Sequence, residues 1–315
     1  MRGSCIIDGI DIADFGMFIL KGGDYDFLSF PERKEPEQNN WHEYDGIDAD
    51  LSEIYFKEKK VVVRFYIKAD SGDEYLFRLN SFYALLSAPG YRNLYSREFD
   101  KTFNLRYLSC SVQNHKGGLY KGGKKSGELT VEFSMDAPLQ IFSNLTNLIP
   151  RKGRSSKTYV TLNGYDLAEF GIIVNQCYNT VLCLSSVKQP LIQSIDTMTG
   201  LKVFKSANRT FEAKQVVIEC TMLADTCAEF YHNYEALFNN LTVKRSVELG
   251  TFAEDMECFY SSMQDFQKLR SFSQRAYVKF NLVLTQISPG LIEFILGTED
   301  SFGVITETDD YFIEM

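Results

Sequence analysis

At 315 residues the chain is too long for one ordinary core and suits two domains of roughly 140 to 150 residues each. Its 44% hydrophobic and 24% charged residues are those of a globular protein, and 25 Phe with 18 Tyr lean toward sheet. A formal net charge of −9 argues against a protein that grips nucleic acid, because phosphate neutralisation needs a basic face.

No window of 18 uncharged apolar residues exists, and Met1 to Ser4 leads only to Ile6-Ile7 before Asp8. Neither a membrane span nor a signal peptide is expected, and synthesis in a cytosol is. The seven cysteines are an odd set without C-x-x-C, mostly inside apolar runs, so buried free thiols are expected.

The chain opens with a short strand, a turn at Asp8-Gly9 where glycine supplies positive φ, and a second strand ending near Phe15-Gly16. A long loop, Phe27 to Leu51, carries the sole tryptophan, Trp41, beside His42 and Tyr44. Lys60 to Ala69 is a β-branched and aromatic run, hence a strand. Asp73 to Ser87 places Tyr75, Leu76, Leu79, Phe82, Tyr83 and Leu86 at spacings of three and four, which predicts a helix covering a sheet. Strands return at Phe103 to Val112 and Glu128 to Met135. The Gly- and Lys-rich 116–127 joins them as a long hairpin, either an arm to a neighbour or a basic element, since a phosphate loop should join strand to helix.

The same order then repeats. Asp8-Gly9-Ile10-Asp11-Ile12-Ala13-Asp14-Phe15-Gly16 lines up, 155 residues later, with Asn163-Gly164-Tyr165-Asp166-Leu167-Ala168-Glu169-Phe170-Gly171. At that offset Phe56 meets Phe211, Val61-Val62-Val63 meets Val216-Val217-Ile218, and Ala69-Asp70 meets Ala224-Asp225. Further on the offset is read as shortening, with Tyr83-Ala84-Leu85 on Glu235-Ala236-Leu237 and Leu129-Val131-Phe133 on Ala276-Val278-Phe280. A second helix is expected over Thr226 to Leu241, then strands at Asp255 to Ser262 and Arg275 to Thr285. The fold class is therefore mainly β (α+β): two tandem repeats of an antiparallel β-sandwich or split barrel, each with one flanking helix. The expected divisions are 1–145, a linker at 146–157, 158–288, and a tail at 289–315. That tail reads either as a hairpin able to augment a sheet edge or as a disordered acidic end.

Chemistry is sparse. His42, His115 and His232 neighbour no metal-ligand pattern, and no nucleophile motif, Walker loop or dinucleotide fingerprint is present. Asp24/Asp26, Asp48/Asp50 and Asp309/Asp310 read as surface carboxylates. No catalytic residue, metal or cofactor is expected, and the chain does not read as an enzyme. Trp41, His42 and Tyr44 suit either an interaction loop between subunits or a ring-stacking carbohydrate site on a cell envelope.

A strand, a D-G or N-G turn and D-[IL]-A-x-F-G, followed by a long loop, a β-branched strand and one amphipathic helix, resembles the distal tail and tail-tube proteins of long-tailed phages, and through them the tube protein of type VI secretion. The carriers are Gly9, Asp11, Phe15 and Gly16, and Gly164, Asp166, Phe170 and Gly171. The resemblance implies a tail-tube-like fold and a virion structural protein of a phage or prophage tail, made in a bacterial cytoplasm. It implies a ring of self-associated chains, with other tail or baseplate proteins as partners, no membrane, and DNA passing the channel without specific binding. Because two copies stand in one chain, the ring is either a pseudo-hexamer of three chains or a hexamer of six.

Overall fold

The computed structural model describes residues 4–118, 122–143, 148–151, 156–190, 192–203, 209–270 and 275–288. Each half opens with a hairpin: β1 (Cys5–Ile7) with β2 (Ile10–Asp11), and β10 (Thr161–Leu162) with β11 (Tyr165–Asp166). Both turn residues of each hairpin have positive φ, 48° and 84° at Asp8 and Gly9, 51° and 85° at Asn163 and Gly164. That backbone twist matches the twist of the paired strands.

The next segment is a correction. D-[IL]-A-x-F-G does not extend the hairpin into a strand; Ile12–Phe15 and Leu167–Phe170 are single 3-10 turns. The Asp11 carboxylate accepts from Ala13 N and that of Asp166 from Ala168 N, satisfying donors that a helical start leaves open. Gly16 and Gly171 close each turn in the left-handed region, at φ 64° and 76°. Phe15 and Phe170 drop into the core between cap and closure.

The first unit continues with β3 (Met17–Ile19), β4 (Gln38–Asn39), β5 (Asp48–Ala49), β6 (Lys59–Ala69), helix α1 (Gly72–Ser87), β7 (Arg92–Ser96), β8 (Lys101–Lys116) and β9 (Lys125–Met135). The second has β12 (Ile172–Gln176), a one-turn helix α2 (Tyr178–Val181), β13 (Ile192–Ser194), β14 (Leu201–Val203), β15 (Lys214–Ala224), α3 (Cys227–Thr242), β16 (Val247–Gly250), β17 (Asp255–Lys268) and β18 (Ala276–Gln286). Their seven-stranded antiparallel sheets have the orders β2-β1-β7-β8-β9-β6-β3 and β11-β10-β16-β17-β18-β15-β12, the same order strand for strand. The mainly β class with one long helix per unit is therefore what the chain adopts. The antiparallel sheets include a curled half-barrel.

Local chemistry explains the switch from strand to helix. β6 buries Val61, Val63, Phe65 and Ile67 on alternate positions, then Ser71 Oγ accepts from Glu74 N while Glu74 accepts from Asp70 N. Thr226 and Glu229 repeat this box at α3. Phe82 of α1 then meets Phe15 and Phe65 at 5.6 and 5.5 Å between ring centres.

The strand pairings also correct the alignment of the later segments. The matching caps keep the offset at 155 through the helices, so Tyr83 corresponds to Phe238 and not to Glu235. Phe65 pairs with Leu129 and Cys220 with Phe280, so Leu129 corresponds to Phe280 and not to Ala276. The misread shifts are three along a helix and four along a strand. Both keep the same face inward, so the apolar pattern alone does not separate them.

The apolar core is continuous across the two units. Phe30, from the first unit, lies 4.4 Å from the Tyr234 ring and 4.9 Å from that of Phe238 on α3. Phe142 stacks on Phe238 at 4.1 Å. Phe30→Ala is expected to lower unfolding stability by about 3 kcal/mol or more in urea denaturation, the range for truncating a buried ring. An unchanged midpoint would show that the units are not joined there. Gly171→Ala places a Cβ 2.6 Å from the Leu223 carbonyl oxygen in a left-handed backbone. It is expected to cost about 1–3 kcal/mol, whereas Gly164→Ala, with open space around it, costs only the backbone strain of about 1–2 kcal/mol. The two melting temperatures compared side by side check this.

Candidate functional site

No group of three or more His, Cys, Asp or Glu among the described residues is placed to hold a metal ion. The most extensively built polar and apolar constellation is instead a junction, made where a long arm of the first unit crosses onto the second.

Each unit anchors its arm in the same way. Lys59, the first residue of β6, donates from Nζ to the carbonyls of Phe27 (3.1 Å) and Ser29 (2.5 Å). Lys214, the first residue of β15, donates to those of Val181 (2.8 Å) and Cys183 (3.0 Å). Burial pushes the Lys59 ammonium down to about 7, with Asp26 opposing. Beyond these roots the arms carry short two-stranded ribbons, β4 with β5 and β13 with β14.

The first arm docks by backbone as well as by side chain. Arg33 N donates to Ser261 O (2.9 Å), Gly46 N to Phe211 O (2.8 Å) and Ile47 N to Ile287 O (2.9 Å). Tyr260 OH donates to Pro31 O (2.9 Å), and Tyr234 OH to Leu28 O. Lys188 projects from the second unit into the turn of the first arm, donating to the carbonyls of Trp41 (2.7 Å), Tyr44 (2.7 Å) and Gly46 (2.6 Å). An ammonium held by three carbonyls fixes the position of that turn.

Charge adds a second contact. Lys268 of β17 lies 2.9 Å from Asp24 and 2.6 Å from Glu98, and 5.2 Å from the centre of the Phe99 ring. Burial raises the Asp24 carboxyl while Lys268 opposes the rise. Lys101 lies 3.6 Å from Glu235 and 4.5 Å from the Tyr231 ring centre, and its ammonium is lowered by burial against the pull of Glu235. The described part of the connection between units follows α3: Ser143 N donates to Glu235, and Arg151 exchanges two hydrogen bonds with Asn233.

The residues singled out in the sequence are dispersed. Gly9, Asp11, Phe15 and Gly16, with Gly164, Asp166, Phe170 and Gly171, form turns and caps within their own units. Trp41, His42 and Tyr44 stand on the first arm with their side chains exposed, while their backbone carbonyls meet the second unit. Asp24 is not a surface carboxylate; it is buried against Lys268. Asp26 accepts from Val62 N. His232 touches the Ile149 carbonyl. The 116–127 segment joins β8 to β9, and Lys125 is tied to the carbonyls of Gly117, Gly118 and Gly122. The 289–315 tail lies outside the described residues. Sequence reasoning passed over Lys59, Lys214, Lys188 and Phe30. A signal for the first two existed, because they stand 155 residues apart, at the offset of the repeat.

Neither the family models nor the curated proteins contain a match to this chain. Among solved structures it is similar to the SPP1 Dit (gp 19.1) protein, described as a paradigm of the hub adsorption apparatus in phages that infect Gram-positive bacteria. The identity is 11%, covering 90% of this chain and 98% of that chain, with a TM-score of 0.34. At that score the likeness does not establish a common fold.

Proposed function

We propose that the chain is a non-enzymatic structural protein of a phage or prophage tail. In this reading it is a distal tail or hub ring that connects the tail tube to the host-binding tip. One observation carries the reading: two units of identical strand order sit in one chain, and an arm of the first is buried on the second. A contact between two different faces of like units is the element from which rings are built. Two units per chain favour three chains, a pseudo-hexamer. The D-[IL]-A-x-F-G resemblance supports the reading of the family, and a net charge of −9 suits a channel that passes DNA without holding it. Other tail or baseplate proteins are the partners above and below the ring, and the virion tail is its location.

The exposed rings of Trp41 and Tyr44 favour a second reading, a carbohydrate-binding surface facing the cell envelope. Light scattering and negative-stain imaging test the first. A mass of three chains and rings of about 80–110 Å, the span of six packed domains of this size, are expected. A stable monomer or an open filament would refute it. Glycan-array binding abolished by Trp41→Ala would favour the second.

A further inference from the structure

The junction inside the chain has a vacant counterpart at both ends of the molecule. Hydrogen bonds fix the correspondence between the arms. Lys34 N donates to Tyr55 O as Lys188 N does to Thr210 O, and Asp26 accepts from Val62 N as Thr180 accepts from Val217 N. Leu28 and Phe30 of the first arm therefore correspond to Leu182 and Leu184 of the second. The first pair is 1% and 3% exposed, while the second is 47% and 60% exposed.

The receiving face shows the same contrast. Tyr234 and Phe238 of α3, which hold Phe30, correspond to Leu79 and Tyr83 of α1, both partly open. Tyr231 corresponds to Leu76, which is 53% exposed. Tyr260, which holds the first arm at Pro31, corresponds to Tyr107: each pairs with the matching residue of β18 or β9, Leu284 or Phe133, just before a bulge. Among the described residues, one face therefore has an arm and no receiver, and the other a receiver and no arm.

We infer that the second arm of one chain docks on α1 and β8 of a second copy of this chain, repeating the internal junction head to tail. The inference rests on the ring reading and names its interface. Coordinated differences on the two faces support it. Where Lys268 meets Asp24 and Phe99 inside the chain, the donor side of the second unit has Tyr178, with Phe252 in the matching loop, their rings 4.6 Å apart. The receiving side has Asn114 and His115 at the level of Lys268, so no lysine stands there. At this position neither the Asp24 carboxylate nor the Lys268 ammonium has a charged counterpart of its own kind, so the two faces differ from the internal junction in a matched way. Lys101 and Glu235 correspond to Glu254 and Asn80, which bring no like charges together. Lys34, exposed on the receiving unit, stands where Lys188 does and is placed to take carbonyls of the 195–200 turn between β13 and β14.

Leu184→Asp removes the arm's anchor and Leu76→Asp puts a charge on the receiving face where Tyr231 stands in the internal junction; both residues are exposed in the single chain, so folding should be retained, as circular dichroism and melting temperature will show. Each variant alone is expected to lose assembly entirely in light scattering. An equimolar mixture, trapped with glutaraldehyde, is expected to stop at a one-to-one dimer, since one sound junction remains. Wild-type rings with single variants that still assemble, or a mixture that traps no dimer, would overturn this interface and leave the ring standing. A monomeric wild type would overturn both.

Discussion

The constraint on which the molecule depends is that a long arm without a sheet of its own must be buried on something. Its ribbon has two residues per strand, too little to be stable alone, so ordering its backbone is repaid only by contact with a neighbour. Inside the chain the neighbour is α3 and β17, and Phe30 supplies the apolar part of the contact. The carbonyls that an arm leaves unpaired are taken in turn by Lys59 at its root, by Tyr234 and Tyr260 along its length, and by Lys188 at its turn. Each hook only makes sense with the second unit or the arm root already in place, so the first unit's arm and the second unit's helix order one another.

This division of labour explains the contrast between the two helices. α1 buries Tyr75, Phe82 and Leu86, the stripe that a single covered face requires. α3 buries Asn233, Glu235 and Asn239 as well, because arm and connection cover its outer side. Two of those buried polar groups have matched partners: Asn233 the Arg151 backbone, and Glu235 Ser143 N and Lys101. Within the chain, a helix covered on one face and one covered on its outer side as well need different outer residues on the same inner stripe.

Much of the architecture was legible because it is written in local patterns: alternation in β6 and β15, three-and-four spacing in the helices, glycine at the hairpin turns. The 3-10 turns were not, since four residues ending in Phe-Gly read equally well as the end of a strand until the Asp11 and Asp166 caps are seen. The later registers were not, since shifts of three in a helix and four in a strand preserve the buried face. The junction was the least legible, because its energy comes from Phe30 meeting residues some 200 positions away and its specificity from main-chain carbonyls, which no side-chain pattern announces. Trp41 drew attention as the only tryptophan, yet the part of it that the second unit holds is its carbonyl oxygen.

Under the inferred head-to-tail contact, duplication in one chain also lets two similar junctions specialise. The internal one forms while the chain folds, with its two sides tethered at high effective concentration, and it can contain Lys268 between Asp24 and Glu98 and accept the desolvation that burying them entails. A junction between chains must start from two surfaces that are each exposed to water. Neutral side chains such as Tyr178, Phe252 and Leu76 meet that condition with little charge to desolvate where they stand, and the non-directional attraction of apolar surface tolerates small errors of approach. In the inferred contact between chains, Tyr178 in place of Asp24 thus suits a junction formed from separate molecules, while the buried Lys268 with Asp24 and Glu98 at the inner face is what tethering permits.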